Sequence, residues 1–189
     1  MTADDPFTAE DLQRLSALAI ATWEAGIDRD WSVPAGTLEW SCRRTAAHTV
    51  DSVFAPAFFL ASQRQHAYPK FDDLRATPDA TVRDLIDGLR AVTTMLWAVI
   101  VTAEPDVRAI IRRRPAVETA GPLEFAPRGA LELILHTYDI ATGLDLTFDP
   151  PRDLCDRLFR STESWPREQI ELTGDSWSDL LASRGRPRV

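Results

Sequence analysis

Apolar residues recur along this chain at three- and four-residue spacing, the period of a helix face turned toward a core. Leu12, Leu15, Leu18, Ala19 and Trp23 form the first such stripe. Thr8 precedes it as a cap, Glu10 and Asp11 make its first turn acidic, and Gly26 closes it. A second helix is predicted from near Thr37–Ser41 to about Gln65, with Trp40, Ala47, Val50, Val53, Phe54 and Phe58 on its apolar side. Pro56 falls inside that span and should kink or split it. Thr77-Pro78 reads as a cap followed by proline at the first helical position. It would open a third helix to about Ala103, carrying Val82, Leu85, Ile86, Leu89, Val92, Leu96 and Ile100. Pro105 begins a short continuation over 106–114. A fourth long helix spans about Pro127 to Gly143. Two shorter helices follow, one holding Leu154, Leu158 and Phe159 and one over 176–183. No alternating run is long enough to predict a strand. The pattern predicts one all-α domain over 1–189: a four-helix bundle at about 8–145 with short peripheral helices in 150–189.

Composition narrows the class. A length of 189 residues suits one domain, and 44% apolar residues suffice for a sizeable core. The formal net charge of -8 leaves no basic stripe to neutralise phosphates, so no nucleic-acid partner is expected. Arg112-Arg113-Arg114 is too short to change this and reads as a solvated helix end. Lys70 is the sole lysine, an arginine bias that fits a GC-rich genome. Cys42 and Cys155 lie far apart without CxxC spacing, so neither a disulfide framework nor a cysteine zinc site is expected. The N-terminus is acidic and lacks the basic region of a signal peptide, and a cytoplasmic protein is expected. The longest apolar run, Met95 to Ala103, is far short of a membrane span, and no membrane partner is expected.

The candidate chemistry lies in Leu131-Glu132-Leu133-Ile134-Leu135-His136. Glu132 and His136 share one helix face, one turn apart, inside an apolar stretch. A carboxylate and an imidazole entering a core need compensation, and a metal ion is one form of it. His48, in the second helix, would complete a three-ligand set with open positions, the arrangement of catalytic zinc. Plainer readings of the same residues stand beside this one. Glu132 and His136 can be a hydrogen-bonded helix pair, Arg128 and Glu132 an ordinary ion pair one turn apart, and His48 a satisfied core histidine. His66 reads as exposed. Asp51 and Asp139 each follow a histidine by three residues and are candidates to orient its ring. Arg128 is also a candidate to hold an anionic part of a cofactor or substrate. Trp31 and Trp40 flank the loop before the second helix, where they can pack or line a pocket mouth.

Trp40 followed by His48, then Glu132-x-x-x-His136-x-x-Asp139, resembles the metal-binding domain of mycothiol-dependent maleylpyruvate isomerases, within the DinB-like superfamily of four-helix bundles. The resemblance covers roughly residues 8 to 145. It implies a divalent metal, zinc or nickel, at one end of the bundle, with His48, Glu132 and His136 as ligands and Asp139 as the aspartate of the HxxD pattern. Asp139 is thereby a candidate for the catalytic machinery. The resemblance also implies mycothiol as a cofactor and a thiol S-transferase or isomerase activity. The isomerases carry a further domain after the bundle, whereas only about forty residues follow Gly143 here. That departure favours a single-domain thiol transferase acting on a small electrophile. The alternative is a non-catalytic metal- or ligand-binding module, with a homodimer as its candidate assembly.

Overall fold

The computed structural model describes residues 5–71, 74–112 and 116–189. The chain is all-α, with helices α1 (Ala9–Ala25), α2 (Cys42–Ser62), α3 (Val82–Thr102), α4 (Phe125–Gly143), α5 (Arg152–Ser161) and α6 (Ser176–Ala182). The four long helices pack into one core, and α5 and α6 lie at its periphery. The most extensive helix packing is of α2 with α3, α2 with α4, α1 with α4 and α1 with α3. Helix α2 therefore sits beside α4, which is what a site shared by His48 and His136 requires.

The local chemistry explains most boundaries. Thr8 Oγ1 accepts from Asp11 N, and Thr8 N donates to the Asp11 carboxylate, so two orphan donors at the start of α1 are satisfied reciprocally. Thr81 and Asp84 form the same box at the start of α3. This corrects the start expected at Thr77-Pro78: residues 77–80 close a turn, with Ala80 N donating to Thr77 O, and the reciprocal pair four residues later sets the boundary. Helix α2 begins at its cap Ser41 and is not split by Pro56. That proline is buried on the same face as Val53, Ala57 and Leu60, and packing of the face keeps the helix continuous despite the missing donor. Helix α4 begins earlier than Pro127, at Phe125, after a 3-10 turn over Pro122–Glu124.

One further expectation is corrected. The segment after Pro105 is not helical: strands β1 (Ala109–Arg112) and β2 (Glu118–Ala120) form an antiparallel hairpin with a register shift between Ile110 and Arg112. Ala109, Ile110 and Ile111 are all buried, so no period-two signal marks the strand. Arg113 and Arg114 of the basic run lie outside the described residues. Helix α3, taken whole, is long and apolar enough to cross a membrane by length and mean hydropathy, although its uninterrupted apolar run is short. Here Leu85, Ile86, Leu89, Val92, Leu96 and Ile100 are buried in the bundle core.

The loop between α1 and α2 crosses the C-terminal end of α4. Gly143 makes that crossing possible: a Cβ there would stand 2.3 Å from Pro34 O and 2.7 Å from Cys42 Sγ. At the other side of the bundle, Arg157 of α5 is buried and donates through Nε and Nη2 to both oxygens of Asp11, at 2.8 and 2.7 Å. This bidentate pair locks the C-terminal segment onto α1.

Candidate metal centre

Helices α2 and α4 bring the three expected ligands together. One ligand atom each from His48, Glu132 and His136 lie within 4.8 Å of one another. The His48 and His136 rings stand 5.1 Å apart at 78°. His136 Nε2 is 3.6 Å from Glu132 Oε2. Donors bound at about 2.1 Å to a tetrahedral ion sit roughly 3.4 Å apart, so small side-chain rotations suffice to close the set. The donor chemistry, two imidazoles and a carboxylate, also suits a borderline divalent ion. The residues present therefore fit such an ion.

The surroundings prepare each ligand. Asp139 is buried, and its Oδ2 stands 3.1 Å from His136 Nδ1. With Nδ1 engaged by Asp139, Nε2 is the ring nitrogen that faces Glu132 and that would bind an ion once it gives up any proton it shares with that carboxylate. Burial alone would depress the His136 pKa, but the bonds to Asp139 and Glu132 outweigh it and raise the value. Burial opposes ionisation of Glu132 as well; there the contacts with His136 and with Arg128, whose Nη1 donates at 2.6 Å, win and hold the carboxyl at about 2. Glu132 is thus an anion at neutral pH. For His48 the order is reversed: burial and the nearby His136 lower its pKa, which favours the neutral ring that a metal needs. His48 Nε2 pairs with Ser52 Oγ at 3.2 Å, its ring makes an edge-to-face contact with Trp40 at 5.1 Å, and the Arg44 guanidinium lies over the same indole.

Several sequence candidates fall elsewhere. Asp51 accepts from Leu74 N at 2.8 Å, and Ser52 rather than Asp51 is the hydrogen-bond partner beside His48. His66 is exposed and outside the triad. Trp31 packs edge-on against Trp23 and donates to Gly26 O, so it is a core residue. Both cysteines are buried free thiols, pushed up to about 11 for Cys42 and about 12 for Cys155 chiefly by desolvation. Neither is a nucleophile at neutral pH.

One functional residue escaped the sequence reading. Arg186, past the end of α6, donates from Nη2 to Asp139 Oδ2 at 2.7 Å and from Nε to Oδ1 at 3.2 Å. It lies 47 residues from Asp139, and only the clustering of Arg184, Arg186 and Arg188 at the tail of an acidic chain could have flagged it.

A cavity of about 560 Å³ opens beside Glu132 and His136, walled by α4, the hairpin and the C-terminal segment. Its size is that of a small-molecule site. Comparison of the chain with protein-family models, with curated proteins and with solved structures returns no match. Fold and site together define an all-α bundle with a candidate metal-binding triad shared by α2 and α4.

Proposed function

We propose that this protein binds one divalent ion, zinc or nickel, through His48, Glu132 and His136, and uses it to transfer a low-molecular-weight thiol to a small electrophile. The observation that carries the reading is the convergence of three ligand atoms within 4.8 Å beside an open cavity. When bound, the ion would accept the sulfur of a thiol and favour its thiolate. The chain's own groups supply the rest. Asp139 holds His136 Nδ1, and Arg128 keeps Glu132 ionised and in place. The buried cysteines supply no nucleophile, which suits a reaction whose nucleophile comes from a cofactor. The resemblance to mycothiol-dependent DinB-like proteins makes mycothiol the first thiol to test and Asp139 the first residue to test for a role in turnover.

A metal-free reading has one observation in its favour: Arg128, Glu132 and His136 already form a chain of contacts that satisfies the carboxylate. A cobalt-substituted sample separates the two. The transferase reading predicts a sulfur-to-metal charge-transfer band on adding mycothiol, with a weaker response to simple thiols. No spectral change with any thiol, and no thiol-dependent consumption of any electrophile in a panel, leaves a non-catalytic binding module as the account.

A further inference from the structure

The cavity beside the triad is rich in arginine. In a chain of net charge -8, five arginines (Arg112, Arg128, Arg167, Arg184 and Arg186) line it against three glutamates. Four of the arginines have carboxylate partners: Glu118, Glu132, Glu163 and Asp139 respectively. Arg184 has none among the described residues. Its Nη1 and Nη2 donate to the carbonyls of Pro166 and Thr162, which neutralise no charge, and its Nε is shut off from solvent without an acceptor. Burial, together with the neighbouring charges of Arg167, Arg128 and Arg186, depresses its pKa despite the opposing pull of Glu132. A half-buried cation held among like charges is unfavourable until an anion joins it. The same cavity is lined by apolar groups as well, Leu131 and Leu135 one turn apart on α4 and Trp165.

We infer that this cavity binds a small organic anion, a carboxylate or phosphate group on an apolar body, with the anionic group at Arg184 and the body against Leu131, Leu135 and Trp165. Arginine presents a planar donor fork that matches either group. The inference deepens the transferase reading by giving the class of its electrophile, yet the binding step stands on the arginines and does not need the ion.

Isothermal titration of the full-length protein tests it, with phenylacetate, phenyl phosphate and the neutral phenylacetamide as probes. The measurement is run on chelator-treated protein and on the His48→Ala variant, while metal uptake is measured on the untreated sample. Both anions are expected to bind at least about ten-fold more tightly than the amide, and added salt should narrow the gap. Whichever anion binds more tightly identifies the carboxylate or the phosphate as the natural group. Arg184→Gln should weaken the anions about ten-fold and leave the amide unchanged, and Arg184→Lys, which keeps the charge but loses the fork, should fall between. Should Arg184→Gln fail to fold by circular dichroism, the Arg184→Lys series and the anion-to-amide ratio decide the matter. Equal binding of anion and amide, no anion binding up to about 10 mM, or anion binding unchanged in both Arg184 variants would overturn the inference. Anion binding without metal uptake would retain it and remove the transferase reading; metal uptake without anion binding would do the reverse.

Discussion

Arg186 grips both oxygens of Asp139, and Asp139 in turn holds His136 Nδ1. The C-terminal segment thus reaches the candidate ligand through a single buried carboxylate. Asp139 is almost without solvent contact, and Arg186 and His136 are its side-chain hydrogen-bond partners.

Removing the grip should therefore loosen the metal without unfolding the bundle. Arg186→Ala and Asp139→Asn are each expected to weaken zinc binding by about 10–100-fold, the range for loss of a group that orients a ligand imidazole. Competition against a chelating dye measures it. Arg186→Lys, which keeps a charge but not the bidentate geometry, should recover only part of the affinity. Unchanged affinity in both alanine and asparagine variants would show that the chain Arg186–Asp139–His136 merely fastens the tail.

His136→Ala should abolish metal binding while the helices persist. The core is built by apolar stripes from α1 to α4, including Leu12, Leu15, Ile86, Leu89, Leu133 and Ile134, all buried. Circular dichroism of the metal-free variant should match that of the chelator-treated parent. Wholesale loss of helix would mean that the ion is structural.

The pair Asp11–Arg157 predicts an acid-side loss of stability. Burial opposes ionisation of Asp11, but the bonds from Arg157 and Thr8 outweigh it and lower its pKa; Arg14 and Arg157 likewise hold Asp153 at about 2. A carboxylate whose folded pKa is depressed contributes stability above its unfolded value, near 3.9, and loses it as pH falls through the folded value. The thermal midpoint of the metal-free protein should therefore fall as the pH drops below about 4, where the unfolded chain takes up protons that the folded state does not. Asp153 is 45% exposed, so solvent screens its share and Asp11 carries most of the effect. Asp11→Asn should cost about 1–3 kcal/mol at neutral pH, because it removes one of the two carboxylates paired with the buried Arg157 and leaves Asp153 as the other, and should flatten the acid limb.

Gly143→Ala tests the crossing of the α1–α2 loop over α4. The new methyl would meet the backbone oxygen of Pro34, which cannot rotate away, so the loop must shift. A loss of about 1–3 kcal/mol is expected from chemical denaturation, typical of overpacking. An unchanged midpoint would show that the loop is free to move.

The sequence carried the bundle because its four long helices expose a period of 3.6 over many residues. Helix α4 was legible down to the orientation of its site: Glu132 and His136 share a face by spacing alone, and Asp139 follows on the adjoining face. His48 was a candidate third ligand from its place in a second helical stretch, and the resemblance named it again; no spacing rule relates residues 48 and 136. The hairpin was hidden because Ala109, Ile110 and Ile111 are buried together, and the true cap of α3 was hidden behind the stronger-looking Thr77-Pro78. Arg184 and Arg186 were out of reach for a different reason. Their roles come from long-range packing of the tail, which leaves no periodic trace in sequence.

His48, Glu132 and His136 are expected to hold one ion between them. Elemental analysis of untagged protein, before and after incubation with zinc or nickel and removal of excess, measures it most directly. The account predicts about one divalent ion per chain in the parent and none in His48→Ala or His136→Ala. No bound metal and no uptake in the folded parent, or equal uptake in the parent and both variants, would contradict it and leave Glu132 and His136 as a hydrogen-bonded pair at the edge of the core.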